Sequence, residues 1–140
     1  MNLYEELRNK QQTEYNAFPV GFAFDKRQLQ EQLVKLGLQP TDTDKVVGIG
    51  YGGFVRKTDK KAFLDMLKKH AEERNNAIKS DKDGRGYIKD MFAYELANHE
   101  YGYTGDLSDT LDACGLSIED IRKNPALRHG LDLALKSYRR

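Results

Sequence analysis

The sequence is poor in cysteine and has no long hydrophobic run. Cys114 is the only cysteine among 140 residues, which excludes an intramolecular disulfide framework and a cysteine-rich zinc site. No apolar stretch approaches the roughly 20 residues that a membrane-spanning helix requires. Residues 1–20 also lack the apolar core of a signal peptide. We therefore expect a cytoplasmic protein without a membrane segment.

An excess of one charge sign is missing as well. The chain has 23 Lys and Arg against 22 Asp and Glu, a formal net charge of +1. It therefore has no overall attraction to nucleic acid or to acidic membranes. With 140 residues, 32% of them charged and 39% hydrophobic, the chain is expected to fold as a single domain over residues 1–140.

The charges are nevertheless segregated along the chain. Residues 45–79 hold nine bases and four acids, whereas residues 80–112 hold three bases and eight acids. Residues 113–140 are basic again, with six bases and three acids. Such blocks either steer a charged partner or neutralise each other between neighbouring helices.

Hydrophobic spacing and capping residues predict an α+β fold. The apolar segment 17–24 and the two arms of 45–57 predict three strands, the last two forming a hairpin. The simplest packing is a small three-stranded antiparallel sheet with helices on one face and a helical C-terminal half. Helices are predicted over residues 2–16, 25–37, 59–79, 87–101, 106–114, 117–124 and from Pro125 to the C-terminus.

A glycine-rich motif at residues 48–53, GIGYGG, matches the glycine pattern of dinucleotide-binding loops. Such a site needs a helix that opens at the third glycine, so that its N-terminus can hold the pyrophosphate. Here the strand-like FVRK follows instead. We interpret the glycines as residues of a hairpin turn that needs positive φ angles. Phosphate binding by this loop together with Arg56 and Lys57 is the weaker alternative.

Residues 81–92 match a calcium-binding loop at its first, third, sixth and eighth positions. The bidentate glutamate that such a loop requires at its twelfth position is replaced by Phe92. Arg85 stands at the fifth position and would place a cation beside the ion. We therefore predict no calcium site and interpret Asp81 and Asp83 as turn residues.

The densest group of polar and aromatic side chains lies in residues 94–106. Glu95 and His99 are four residues apart, a spacing at which a carboxylate can orient an imidazole. Three interpretations are open: a helix that covers the edge of the core, a partner-binding surface, or an acid–base pair that still needs a nucleophile or metal. The candidate partner-binding residues are Tyr94, Glu95, Asn98, His99, Glu100, Tyr101, Tyr103 and Asp106.

Other ligand sites have little support in the sequence. The three histidines lie on separate predicted helices with neither an H-E-x-x-H motif nor paired cysteines, so no metal and no cofactor is expected. Residues 111–130 resemble a helix-turn-helix, but the second helix starts with Ile-Glu-Asp, whose acids would face phosphates. The alternative nucleic-acid site is the basic segment, Arg56, Lys57, Lys60, Lys61, Lys68 and Lys69, whose binding would weaken steeply with salt.

Four stretches carry a resemblance to a known family: residues 18–24 (FPVGFAF), 52–59 (GGFVRKTD), 91–106 (MFAYELANHEYGYTGD) and 111–121 (LDACGLSIEDI). Over about residues 1–135 the chain resembles a family of small uncharacterised proteins carried by phages and integrative elements of gut-dwelling Firmicutes. The family has no assigned activity, so the resemblance implies no catalytic residue. It implies a mobile-element protein that works in a bacterial cytoplasm.

The leading hypothesis is therefore a non-enzymatic protein that binds a macromolecular partner, a host or phage protein, through the acidic, tyrosine-bearing segment 87–106. In the setting that the resemblance implies, the target would be a host defence or nuclease complex, as for anti-CRISPR or anti-restriction proteins. The alternative is a nucleic-acid-binding accessory or regulatory protein that uses the basic segment. An enzyme based on Glu95 and His99 ranks third, and either a monomer or an oligomer is compatible with the amphipathic helices.

Overall fold

The structure, a computed structural model, describes residues 2–99, 101 and 105–138. It confirms the α+β class, with seven α-helices and one three-stranded antiparallel sheet within these residues. The chain divides into two compact units, which we call unit 1 (Met1–Gln11 and Glu72–Arg140) and unit 2 (Gln12–Ala71). In the part of the chain that the structure describes, every helix is too short or too polar to cross a membrane.

Most elements lie where the sequence predicts them. The helices are α1 (Leu3–Ala17), α2 (Lys26–Lys35), α3 (Lys60–Ser80), α4 (Tyr87–Asn98), α5 (Ser108–Cys114), α6 (Ile118–Lys123) and α7 (Pro125–Tyr138). The strands are β1 (Gly21–Phe22), β2 (Val46–Gly50) and β3 (Gly53–Arg56). Short 3-10 turns at Thr43–Lys45 and Lys57–Asp59 precede β2 and α3.

Three helix boundaries differ from the prediction by two or more residues, one of them the end of α2, at Lys35 rather than at residue 37. Helix α4 ends at Asn98, with His99 as its C-cap, rather than at residue 101. Helix α5 begins at Ser108 rather than at residue 106, because Asp106 lies outside the helix and its carboxylate accepts a hydrogen bond from the Ser108 amide at 2.8 Å. Asp106 thus forms an Asx turn that leads into the helix, whose N-cap is Leu107.

In unit 2, the strand order β1-β3-β2 places β3 in the centre and the short β1 at an edge, as Pro19 predicts for this segment. Helix α2 begins after Asp25, whose carboxylate caps the Gln28 amide at 2.8 Å. Its buried residue Leu33 and its C-cap Leu36 form one core cluster with Phe54 of β3. The ring of Phe54 lies where a Cβ of residue 21 would be, so β1 needs glycine there.

The hairpin between β2 and β3 has a two-residue turn, Tyr51–Gly52, since Gly50 pairs with Gly53. Both turn residues have positive φ, 53° for Tyr51 and 79° for Gly52. This is the turn geometry that fits the twist of a tight hairpin. The interpretation of the glycine motif as a hairpin turn is therefore confirmed.

In unit 1, α4 is the central element of the hydrophobic core. Ile88, Phe92 and Leu96 are fully buried along it. Leu131 of α7 and Leu111 of α5 belong to the same cluster. Each fully buried side chain of this kind contributes about 1.5–3 kcal/mol relative to an exposed one, so the orientation of α4 is strongly fixed.

Local polar contacts define the ends of the unit 1 helices. The Asp81 carboxylate accepts hydrogen bonds from the amides of Gly84, Gly86 and Ile88 at 2.9–3.1 Å, so Asp81 is the predicted turn residue. Ser117 and Asp120 form the predicted capping box at α6. The pKa of the Asp120 carboxyl is lowered because it accepts hydrogen bonds from the Ser117 amide and hydroxyl.

Candidate functional site

The candidate partner-binding residues of segment 94–106 do not form one exposed surface in the part that the structure describes. Asn98 and Asp106 are exposed, Tyr94, His99 and Tyr101 are half-buried, and Glu95 is only 3% exposed. Glu100 and Tyr103 lie outside the described residues. Helix α4 directs Glu95 into the core of unit 1, whereas Asn98 at its C-terminal end lies at the surface.

Glu95 and His99 do lie next to each other. The distance from Glu95 Oε2 to His99 Nε2 is 3.6 Å, longer than a hydrogen bond, and Glu95 Oε1 has no hydrogen-bond partner among the described residues. A nearby hydroxyl, Thr110 Oγ1, donates at 3.5 Å to the backbone carbonyl of Glu95 instead. Burying a carboxylate without a partner is costly. Since the contact with His99 is long and Oε1 is unpaired among the described residues, we expect Glu95 to destabilise unit 1.

Cys114 lies close enough to Glu95 to feel its charge, and its environment makes it unreactive. Burial raises the pKa of the Cys114 thiol to about 12, and the negative charge of Glu95 adds to the increase. Since the thiolate is the reactive form, covalent chemistry at Cys114 has no support. Cys114 therefore does not supply the nucleophile that an acid–base interpretation of Glu95 and His99 would need.

Alkylation of Cys114 tests this environment. At pH 8 we expect iodoacetamide to modify Cys114 roughly 100- to 1,000-fold more slowly than free cysteine, because its pKa is raised from 9.0 to about 12 and the thiolate fraction falls accordingly. Mass spectrometry of the intact chain measures the rate, and the same chain in urea is the control. Equal rates in the folded and unfolded chains would contradict the assigned burial.

The tyrosines of α4 pack against α1 within unit 1 instead of forming an exposed stripe. The Tyr4 ring lies 5.8 Å from that of Tyr87 and 5.5 Å from that of Tyr94. The Arg8 guanidinium lies 5.3 Å from the centre of the Tyr94 ring and donates a 2.6 Å hydrogen bond to its hydroxyl. The seven-residue spacing of these tyrosines therefore reflects packing on a neighbouring helix.

A cleft with two adjoining lobes opens beside these tyrosines, and the sequence analysis did not identify it. The lobes have volumes of about 210 and 230 Å³. Four residues line both lobes: Tyr4, Arg74, Tyr87 and Ala113. The first lobe adds Leu7, Arg8 and Gln11, and the second adds Asn75, Ile78, Met91, Asp112, Cys114 and Gly115. All these residues belong to unit 1.

The basic segment lies in unit 2, and part of its charge is paired. Arg56 is half-buried, with its Nε atom 2.7 Å from Asp59 and one guanidinium nitrogen donating to the Leu36 carbonyl. Lys61 pairs with Asp65, and Lys69 lies 3.5 Å from Glu14. Three other exposed lysines form no ion pair with a residue that the structure describes: Lys57, Lys60 and Lys68.

The most exposed aromatic side chains of the described residues lie at the hairpin of unit 2. Tyr51 is 98% exposed, Phe24 79% and Phe22 47%. The rings of Phe24 and Phe22 lie where Cβ atoms of Gly52 and Gly53 would be, so both rest against the turn that carries Tyr51. We call these three residues the aromatic surface. The sequence analysis assigned residues 17–24 to a strand and did not identify this surface.

Comparison with known proteins gives one match. A model of a protein family of unknown function, DUF7659, matches residues 3–137. No curated protein and no solved structure shows a significant similarity to the chain. Because the match covers nearly the whole sequence, the resemblance to an uncharacterised family is confirmed, and the chain belongs to the DUF7659 family of unknown function.

Proposed function

We propose that the protein is a non-enzymatic binding protein that contacts a protein partner through the aromatic surface of unit 2. The observation that carries the proposal is the exposure of Tyr51 on a tight hairpin and of Phe24 and Phe22 beside it. Exposed apolar groups that lie together mark interaction sites, and aromatic residues are enriched at the energetic centres of protein interfaces.

The backbone conformation of Tyr51 supports a functional role for its side chain. Tyr51 has φ of 53° and lies between two glycines that also have positive φ. A side chain other than glycine in this region costs about 1–2 kcal/mol, and a side chain that is 98% exposed regains almost none of that by packing. Strain of this kind is characteristic of functional positions.

The chemistry of the aromatic surface favours a protein over a nucleic acid as the partner. Residues 46–55 contain no charged side chain, and neither does the segment from Phe22 to Phe24. Binding of nucleic acid depends on Lys and Arg contacts to phosphates, and proteins that bind single strands combine aromatic residues with a cationic groove. An uncharged aromatic surface suits the apolar centre of a protein interface.

The class of partner follows from the phage or mobile-element setting that the sequence resemblance implies. In that setting we propose a host defence or nuclease complex as the target, bound and inhibited in the bacterial cytoplasm. Two exposed residues, Asn98 at the end of α4 and Asp106 just before α5, are a secondary candidate contact.

A comparative capture experiment tests the proposal. The tagged wild-type chain, the variant Tyr51→Ser/Phe24→Ser and the control variant Leu64→Ser/Leu67→Ser are immobilised and exposed to nuclease-treated lysate of a host bacterium. The control removes apolar side chains that are 51% and 40% exposed on α3 of the same unit. We expect a discrete protein that the wild type and control retain and the aromatic variant captures at least tenfold less. Equal capture by all three chains would contradict the proposal.

At residue 51, we expect the stability of the fold and the affinity for the partner to change in opposite directions. Tyr51→Asn is expected to stabilise the fold by about 0.5–1 kcal/mol, because Asn tolerates positive φ and Asn-Gly is the preferred pair for this turn. Urea denaturation followed by circular dichroism measures the change. The variant should still bind the captured protein more weakly. A loss of stability would show that the Tyr51 side chain supports the fold.

Nucleic-acid binding by the basic segment is the second candidate function, since Lys57, Lys60 and Lys68 are exposed and unpaired among the described residues. If the basic segment binds nucleic acid, the affinity for duplex DNA falls by about tenfold or more between 50 and 200 mM salt. The double variant Lys60→Gln/Lys68→Gln then reduces this dependence of the affinity on salt. A gel-shift titration measures both. Affinity that is independent of salt would exclude this function.

A further inference from the structure

We propose that the cleft in unit 1 binds a small organic anion, a carboxylate or phosphate monoester attached to an apolar or aromatic body. This ligand site is separate from the proposed function, because its lining residues all belong to unit 1 and the aromatic surface belongs to unit 2. The proposal rests on the charge, hydrogen bonding and shape of the two lobes.

The first lobe is cationic. Arg8 and Arg74 both line it, and none of the described residues that line it is acidic. A guanidinium group has five N–H donors. One nitrogen of Arg8 donates to the Tyr94 hydroxyl, and one nitrogen of Arg74 donates to Gln11 Oε1 at 3.1 Å. These bonds orient the two side chains and leave further donors for an anion.

The buried polar residue Gln11 fixes the orientation of the Arg74 side chain. Gln11 is 8% exposed, and its amide nitrogen donates to Glu73 at 3.4 Å while its oxygen accepts from Arg74. An arginine that is oriented before the ligand arrives loses less side-chain entropy on binding. Arg74 lines both lobes, so it lies where the anionic group and the body of the ligand would meet.

Two phenols add neutral donors. Burial raises the pKa of Tyr87 to about 12 and raises the pKa of Tyr4 still further, so both hydroxyl groups stay protonated at physiological pH. The positive charge of Arg74 lowers the pKa of Tyr87, and that of Arg8 lowers the pKa of Tyr4, each against the larger effect of burial. Both guanidinium groups therefore act electrostatically on the hydroxyls that border the first lobe.

The residues that line the second lobe indicate which kind of ligand body would fit there. Ile78 and Met91 give it apolar walls, whereas Asp112 places a negative charge there. Because Asp112 offsets the charge of Arg74, which also lines the second lobe, an anionic group is favoured in the first lobe and an apolar or aromatic body fits the second. Since each lobe is smaller than the ~300–1,000 Å³ of common ligand pockets, the ligand is small.

A titration of the full-length ¹⁵N-labelled chain tests the proposal, with benzoate and phenyl phosphate as probes and inorganic phosphate as the anion without a body. We expect saturable shifts of the Arg74, Tyr87 and Ala113 amides with dissociation constants of about 1 mM or below. Inorganic phosphate should bind at least fivefold more weakly than phenyl phosphate.

Variants locate the site. Arg74→Gln is expected to weaken binding about tenfold or more because a charge-assisted hydrogen bond is lost. Ala113→Leu, on the exposed wall shared by both lobes, is expected to block binding without a change of charge. Arg85→Gln is the control, since Arg85 is exposed and lines neither lobe. Unchanged binding by both test variants, an equal loss with the control, or no saturable shift at 20 mM probe would overturn the proposal.

Discussion

Gly84→Ala is expected to destabilise unit 1 by about 3–5 kcal/mol. A Cβ at this position would overlap the carbonyl oxygen of Ala126 and lie 2.9 Å from the amide nitrogen of Gly130. Both are backbone atoms of α7, so the helix itself would have to move. Overpacking of this kind costs about 1–3 kcal/mol or more, and the φ of +81° adds about 1–2 kcal/mol for any residue with a Cβ. Urea denaturation followed by circular dichroism measures the loss.

Gly115→Ala separates the two contributions. Gly115 also has positive φ, 70°, at the end of α5 in unit 1, but a Cβ there would meet no atom within 4 Å. We expect this variant to lose only about 1–2 kcal/mol. Equal losses for the two variants would show that the close approach of residues 81–86 to α7 does not exist in solution.

Glu95→Gln is expected to stabilise unit 1 by about 1–3 kcal/mol. Glu95 is 3% exposed, and its Oε1 atom has no hydrogen-bond partner among the described residues. The amide has nearly the same shape but carries no charge, so the penalty for removing a carboxylate from water disappears. Removing one member of a buried ion pair is destabilising when the other charge stays buried, but the His99 side chain is 29% exposed, so a charge on it would remain in contact with water.

The variant His99→Gln tests whether His99 opposes the stabilisation that we expect from Glu95→Gln. Since Glu95 Oε2 lies 3.6 Å from His99 Nε2, a protonated His99 would offset part of the buried charge, and its loss would then be destabilising. A double-mutant cycle of the two substitutions measures their coupling. Destabilisation by Glu95→Gln with strong coupling would show that the pair supports the fold, in contradiction to the destabilising role assigned to Glu95.

Local features of the fold could be predicted because their signals are contained in a few neighbouring residues. Asp25 before α2, the Ser117–Asp120 capping box and Asn124 before α7 all accept hydrogen bonds from amides within the next turn of helix. The turn at Tyr51–Gly52 follows from the same kind of local signal. In each case the energy of the cap or turn depends little on the rest of the chain.

Burial in the candidate site could not be predicted, because it depends on which elements pack together. The spacing of Glu95 and His99 shows that they share a helix face but does not show which face is covered. Helix α4 is covered on several sides, so that face lies largely inside. The exposure of Tyr51 and Phe24 was missed for the converse reason, since aromatic residues in an apolar segment are usually buried.

Site-specific photo-crosslinking tests the central claim, that a protein partner binds the aromatic surface, most directly. A benzophenone amino acid replaces Tyr51, which is 98% exposed, or Leu64 on α3 as the control, and each chain is irradiated in nuclease-treated lysate of a host bacterium. The account predicts a discrete protein adduct from position 51 that is absent from position 64 and is lost when Phe24→Ser is added. No discrete adduct at position 51, or the same adduct at both positions, would contradict it.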